Sequence, residues 1–215
     1  MKIGVVGLQG GVYEHVYMLR KAFERMGLDG EAVVVKKPGQ LAGVDGIVLP
    51  GGESTTIMRL ARKTGLWEAL RDAIRSGLPA FGTCAGAILL ASRVRDARVG
   101  EARVETLGAL DVTMVRNAYG RQRESFELDI ELRWSREKPF RAVFIRAPAI
   151  VEWGSGVDVL ASVPSDKLHL VIDNPPPETP VVVRQGAVLA TTFHPELTGD
   201  TRIHEYFISL VRGRA

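Results

Sequence analysis

The sequence predicts an α/β fold: a three-layer αβα sandwich of the flavodoxin-like kind, with a mostly parallel central sheet and an antiparallel extension. Three features point to it. Short apolar runs alternate with helix-period segments through the first half of the chain, and the turns between them are short. The second half changes to a series of strand-like runs with little helix between them. Strand–helix alternation with short turns favours right-handed βαβ units, which bury a parallel sheet beneath helices on both faces.

Taken in order, residues 3–6 (Ile-Gly-Val-Val) read as a first strand. An amphipathic helix over 13–26 follows, stopped by Gly27. Residues 32–35 and 46–49 are the next strands, and Pro50-Gly51-Gly52 turns the chain into helical spacing over 54–61 and 66–76. A strand at 78–81 leads into a helix over 85–92. Residues 126–134 (Phe-Glu-Leu-Asp-Ile-Glu-Leu-Arg-Trp) alternate with period two, the mark of an antiparallel strand with one wet face. Further strands are expected at 141–146, 157–163, 168–172, 181–184 and 188–193, and a closing amphipathic helix over 201–211. Asn174-Pro175-Pro176-Pro177 reads as a rigid surface loop, since its prolines offer no backbone donor. With no internal repeat, low-complexity tract or linker, one domain spanning 1–215 is expected.

A chain of 215 residues can bury a full core without disulfides or a structural metal. Hydrophobic content of 46% and charged content of 25% are those of an ordinary globular protein. No window of about 18 apolar residues appears, so no membrane span is expected. The N-terminus runs straight into strand pattern, without an apolar leader and cleavage site, so no signal peptide is expected. The single cysteine excludes an intrachain disulfide and suits a reducing, cytoplasmic setting. The net charge of +3 is spread along the chain and mixed with acids, and no nucleic-acid or zinc motif is present. A solvated mixed-charge surface is favoured over a nucleic-acid partner, and no metal or cofactor is implied.

Gly82-Thr83-Cys84-Ala85-Gly86 lies between an apolar strand and an apolar helix, the Gly-x-nucleophile-x-Gly pattern of a nucleophile elbow with Cys for Ser. A sharp strand-to-helix turn strains the central residue and leaves room only for glycine at its flanks. It also sets the sulfur at a helix N-terminus, where thiolate is favoured, and directs the Ala85 N–H at a nascent oxyanion. A lone intracellular cysteine is more often a small buried hydrophobe, so a partner is needed. Phe193-His194-Pro195-Glu196 supplies one: an imidazole to exchange the proton and a carboxylate to orient it. In an extended segment His194 and Glu196, two apart, project to one face. Both motifs follow strands, so both are expected at the carboxyl edge of the sheet. His15, His169 and His204 read as surface or packing residues, His169 within a strand.

The third constellation is Leu49-Pro50-Gly51-Gly52-Glu53-Ser54, where paired glycines let N–H groups converge on an anion and Ser54 could cap a helix. It has neither phosphate-loop nor dinucleotide-fingerprint spacing. A plain helix-starting turn is the lesser, competing reading.

Together these residues resemble the class I glutamine amidotransferases, whose Cys-His-Glu triad matches Cys84, His194 and Glu196. Several further segments are similar to the glutaminase subunits of pyridoxal 5′-phosphate synthase. These are Gly7-Leu8-Gln9-Gly10 with Glu14-His15, the run from Leu49 through Ser54 to Thr55-Thr56, and Arg116-Asn117-Ala118-Tyr119-Gly120-Arg121-Gln122 with Ser125-Phe126-Glu127. Phe144-Ile145-Arg146-Ala147-Pro148 and Phe193-His194-Pro195-Glu196-Leu197-Thr198 complete the set, in the same order from residue 3 to about 200. The resemblance implies hydrolysis of L-glutamine to glutamate and ammonia through a glutamyl thioester on Cys84. It implies Gly52, Glu53, Ser54, Arg116, Ile145 and Arg146 as glutamine contacts, and Gly51, Gly52, Ala85, Gln9 and Gly10 as oxyanion contributors. It further implies transfer of ammonia to a (β/α)₈-barrel synthase subunit within a large hetero-oligomer, with Gln9-Gly10 and the adjacent helix meeting that partner. An α-carboxylate independently favours a guanidinium fork such as Arg116 or Arg146.

Two departures stand out. Tyr119 replaces the usual Phe, and residues 167–184 read as a longer surface hairpin than the family has. Competing readings are another class I glutaminase serving histidine or nucleotide synthesis, a cysteine hydrolase on the same sandwich, and a non-catalytic module. The first should lack the Arg-Asn-x-x-Gly-Arg-Gln run, the second the carboxylate fork, and the third the complete triad.

Overall fold

The computed structural model describes residues 1–101, 104–119 and 125–213. The first half alternates as its pattern demands: β1 (Lys2–Val6), α1 (Val12–Arg25), β2 (Glu31–Val35), β3 (Gly46–Leu49), α2 (Ser54–Thr64), α3 (Leu66–Arg75), β4 (Ala80–Thr83) and α4 (Ala85–Leu90). Every residue of β3 and β4 is buried, which is why they read as unbroken apolar runs rather than alternating ones. Gly65, left-handed at φ 73°, ends α2 and lets α3 start at once.

The second half holds β5 (Ala91–Asp96), β6 (Gly100–Glu101), β7 (Leu110–Arg116), β8 (Ser125–Leu132), β9 (Ser135–Ile145), β10 (Ala149–Trp153) and β11 (Asp158–Pro164). After them come α5 (Ser165–Leu168), β12 (Glu178–Gln185), β13 (Val188–Thr191) and α6 (Arg202–Val211). The main sheet has seven strands in the order β11-β12-β13-β4-β3-β1-β2. From β2 to β13 all neighbours are parallel, and β12 and β11 add antiparallel. Strand period two divides the core: Ile3, Val5, Val48, Phe81 and Leu189 pack with α1 and α6. Val6, Ile47, Leu49, Ala80 and Ala190 pack with α2, α3 and α4. That is the expected three-layer sandwich with its antiparallel extension. A smaller four-stranded sheet, β10-β7-β5-β6, and the β8–β9 hairpin flank it.

Three local expectations are corrected. The helix expected over 85–92 stops at Leu90, because Ala91 is extended (φ −59°, ψ 155°) and opens β5. Residues 168–172 are not a strand. Leu168 ends the short α5, His169 turns left-handed at φ 50°, and the Val171 N–H donates to the Ala118 carbonyl. A short apolar run fits a capping loop over the core as well as a strand. The stretch 167–184 is not a surface hairpin extension throughout, since its second part is β12, an interior strand with Val181, Val182 and Val183 fully buried. The Arg116–Gln122 motif is described only as far as Tyr119; Gly120, Arg121 and Gln122 lie outside the described residues. No described helix is long and apolar enough to cross a membrane.

The elbow depends on close backbone approach. A Cβ at Gly86 would sit 1.8 Å from the Leu49 carbonyl oxygen, where only backbone could yield. Gly86→Ala should therefore cost ~3 kcal/mol or more in urea unfolding. Gly39→Ala, whose Cβ would meet nothing within 4 Å, should stay within ~0.5 kcal/mol of wild type. Equal losses for the two variants would contradict this packing.

Candidate active site

The parallel strands run in the order β2-β1-β3-β4-β13, so direction of winding reverses between β1 and β3. Ligands of doubly wound sheets bind at the carboxyl ends of strands beside such a switch point. The chain leaving β1 (7–11), β3 (50–53), β4 (Cys84) and β13 (192–194) converges there around a cavity of about 330 Å³. That volume suits a small molecule, since ligand sites run ~300–1,000 Å³. Its walls include Gly10, Gly51, Gly52, Glu53, Ser54, Cys84, Ala85, Arg116, Ile145, Arg146, His194 and Glu196. Of the residues expected at the site, Gln9 alone is absent from the wall. Gly11, Glu14, Ile88, Asn117 and Leu197 are additions.

Cys84 sits between β4 and α4 at φ 49° and ψ −104°, a conformation that costs a non-glycine residue ~1–3 kcal/mol. Its N–H donates to the Thr191 carbonyl (2.9 Å) and its carbonyl accepts from Ile88 N–H (3.1 Å). The residue is buried at the cavity floor rather than displayed, and Sγ lies 3.8 Å from the Ile145 carbonyl oxygen.

His194 and Cys84 both face Gly51, side by side, and on its other side His194 Nδ1 lies 2.7 Å from Glu196 Oε1. Their approach is not the strand alternation expected from i, i+2 spacing. Pro195–Leu197 forms a 3₁₀ turn with His194 at its cap, and the turn swings the carboxylate back onto the ring. Pro195 at the first helical position favours that turn. Gly51 makes room for the imidazole, since a Cβ there would lie 2.3 Å from His194 Cε1. Burial alone would lower the His194 pKa, but hydrogen bonds to Cys84 and Glu196 and their charge raise it to about 10. Burial likewise pushes Glu196 up, yet its histidine neighbours and the His194 hydrogen bond bring it down to about 2.

The glycine-rich turn differs from expectation in detail. Glu53, not Ser54, caps α2: its carboxylate accepts from Thr55 N–H (3.2 Å) and Thr56 N–H (2.7 Å). Ser54 is the first helical residue and is buried. Arg116 is held against Glu53 (3.2 Å) and Thr55 (3.4 Å), with Asp96 4.0 Å from its Nε. Asp96 also accepts from the Asn117 side chain (2.9 Å). Burial would raise the Glu53 carboxyl; the Thr56 and Thr55 hydrogen bonds and the Arg116 charge bring it below the usual range. Gly51 N–H donates to the Thr83 hydroxyl (2.9 Å), and Glu53 N–H to Gln9 Oε1 (2.8 Å). Two amides of this loop are therefore engaged away from the cavity.

A family model, the SNO glutamine amidotransferase family, matches residues 5–212 of the chain. The chain belongs to this family. A Staphylothermus marinus protein named pyridoxal 5′-phosphate synthase subunit PdxT is 54% identical over 98% of this chain and 98% of its own. A protein of the same name from Aeropyrum pernix is 53% identical over 99% of this chain and all (100%) of its own. A crystal structure of a glutamine amidotransferase superposes with a TM-score of 0.79 at 44% identity, covering 98% of both chains. A Thermotoga maritima glutamine amidotransferase, 12% identical over 97% of this chain and 82% of its own, shares the fold with a TM-score of 0.57. This glutamine amidotransferase is an enzyme of the glutaminase type.

Sequence reasoning placed His15 and His204 of this amidotransferase among surface or packing residues. Both are fully buried, with His15 Nδ1 3.0 Å from His204 Nε2 and His15 Nε2 3.0 Å from Thr83 Oγ1. The missed signal is helical phase, since His15 falls on the stripe of Val12, Val16 and Leu19, and His204 on that of Phe207 and Ile208. Burial lowers the His204 pKa to about 3, with His15 adding to the effect and Glu196 opposing it. Burial lowers His15 too, against the raising charge of Glu196. An unfolded histidine protonates below about pH 6.5, whereas these stay neutral, so stability is full above that pH and declines below it. Glu196 stays ionised down to about 2 and does not oppose this slope. His194, raised to about 10, contributes stability that is full below 6.5 and is lost as pH rises above it, so the decline belongs to the window below 6.5. Urea unfolding should show a loss of about 2 kcal/mol from His204 alone between neutral pH and pH 5. His204→Leu should flatten the slope, and a wild-type profile flat over that range would contradict buried neutral histidines.

Proposed function

We propose that this enzyme hydrolyses L-glutamine with Cys84 as nucleophile, His194 as proton carrier and Glu196 as its orienter. It would supply the ammonia to the synthase subunit of pyridoxal 5′-phosphate synthase. The observation that carries the reading is the buried Glu196–His194–Cys84 chain at the floor of a cavity walled by Arg116 and Arg146. The thiolate attacks the side-chain amide carbon, forming the C–S bond and a tetrahedral oxyanion. His194, protonated at neutral pH, gives its Nε2 proton to the amide nitrogen, the C–N bond breaks, and ammonia leaves. Neutral His194 then takes a proton from water, which attacks the thioester. Collapse breaks the C–S bond and releases glutamate. Glu196 keeps the Nδ1–H aligned throughout. Arg116, pre-set by Glu53 and Thr55, and Arg146 at the rim offer guanidinium forks for the α-carboxylate.

The oxyanion would be met by the Ala85 N–H and the Gly51-Gly52 turn. Because the Gly51 N–H is bound to Thr83 and the Glu53 N–H to Gln9, the turn would have to rearrange for either of those two amides to serve as a second donor. Gln9 is exposed beside helix α1, whose Tyr13 and Tyr17 present 71% and 63% of their surface to solvent. Aromatic rings one helical turn apart suit a protein interface. A barrel partner docking over this face would reach Gln9 and through it the turn.

Glutamate release from glutamine, measured with and without the (β/α)₈ synthase subunit, tests both levels. Cys84→Ala should lose at least ~10³-fold in rate. The partner should raise the wild-type rate by ~10²-fold, the worth of one oxyanion donor. Wild-type turnover in Cys84→Ala would overturn the triad, and indifference to the partner would overturn the pyridoxal assignment.

A further inference from the structure

Behind the catalytic carboxylate lies a second buried chain that the glutamine chemistry above does not use. His15 Nε2 faces two oxygens, Thr83 Oγ1 at 3.0 Å and Glu196 Oε2 at 3.4 Å. His15 Nδ1 meets His204 Nε2 at 3.0 Å. Both rings stand edge-on to Phe81, with centroids 6.0 and 5.8 Å from it and interplanar angles of 85° and 82°. The phenyl ring excludes water and fixes both orientations. Glu196 Oε2 and His204 Nδ1, the two ends of the chain, are buried with no hydrogen bond among the described residues.

These contacts favour one pair of tautomers over the other. An ionised Glu196 can only accept, so the ring nitrogen facing it carries the hydrogen. Nδ1 of His15 is then bare and accepts from His204 Nε2–H. The atom left over at His204 Nδ1 is a lone pair, a cheaper orphan than a buried N–H. The reverse assignment would set a lone pair against the carboxylate and strand an N–H in the apolar core. The Thr83 oxygen, which also accepts from Gly51 N–H (2.9 Å), joins this chain to the glycine-rich turn.

We propose that His15 is a positioning residue for glutamine hydrolysis: its Nε2–H steadies the second oxygen of Glu196 and, through Thr83, ties the triad to the Gly51 peptide. The proposal rests on the triad reading above. His15 does not wall the cavity, so its loss acts on turnover rather than on glutamine binding. Without it, Glu196 Oε2 becomes a buried charge with no donor near it, the carboxylate is free to turn, and His194 loses its aim.

The test compares full-length wild type with His15→Leu, His15→Gln and Thr83→Val, under the conditions in which wild type turns over glutamine. Cys84 is the single cysteine, so iodoacetamide titration of a parallel, natively folded sample counts reduced Cys84 thiols and puts kcat on a per-thiol basis. His15→Leu should lower kcat per site by ~10²-fold, as a misaimed catalytic group does. KM should move by less than about threefold, since no ground-state contact is lost. His15→Gln, whose amide nitrogen reaches the place of Nε2, should recover to within about tenfold of wild type. Unchanged kcat per site in His15→Leu, or no rescue by His15→Gln at an equal melting temperature, would overturn the proposal. Should His15→Leu fail to fold, Thr83→Val decides. It keeps His15 but removes the oxygen that meets both His15 and Gly51, and should lower kcat per site by about tenfold; wild-type kcat there overturns the coupling. Activity surviving in Cys84→Ala is a different failure, that of the triad itself.

Discussion

A residue with a Cβ does not rest easily at φ 49° and ψ −104°, and Cys84 is kept there by what surrounds it. The Thr191 carbonyl holds its N–H, Ile88 holds its carbonyl, and Gly86 lies hard against the Leu49 carbonyl. Each contact comes from a different neighbouring segment, β13, α4 and β3. The parallel sheet is thus what stabilises the elbow, and the elbow is what carries the sulfur past the sheet edge to His194. Were the three segments to separate by a fraction of an ångström, the backbone would relax and the sulfur would swing away from the imidazole.

The same economy of space governs position 51. His194 fits only because the facing residue has no side chain, so the glycine-rich turn and the imidazole are shaped to one another. Gly51 then meets Thr83, Thr83 meets His15, and His15 meets Glu196. His194, Glu196 and the glycine-rich turn belong to one connected network. A partner acting on Gln9 would pull on a loop already wired to the triad.

The parallel half of the sheet was legible because strands buried on both faces leave continuous apolar runs between helix stripes. That Cys84, His194 and Glu196 would meet at one cavity was legible because an elbow needs flanking glycines and a thiol nucleophile needs a base with an orienter. β7 and β10 of the smaller sheet were missed, although β7 reads Leu-Asp-Val-Thr-Met-Val-Arg. β7 pairs with β5 along one edge and β10 along the other, and the start of β5, Ala91 and Ser92, was taken into the helix expected over 85–92. The 168–172 run misled because local apolarity does not say whether a partner strand lies alongside. The His194–Glu196 contact was right while its geometry was not, since Pro195 makes a turn where period-two reasoning assumed extension. Ser54 lost the capping role to Glu53, whose longer side chain reaches two amides at once. For His15 and His204, read as surface or packing residues, helical phase decides for packing and puts both in the core.

The most direct test of the central claim is to catch the covalent intermediate. Acid quenching during turnover of glutamine, followed by intact-mass and peptide analysis, should find a glutamyl group on the peptide containing Cys84. Hydroxylamine should remove it, as expected of a thioester. Turnover that proceeds with no such adduct, or with the adduct on another residue, would contradict the account.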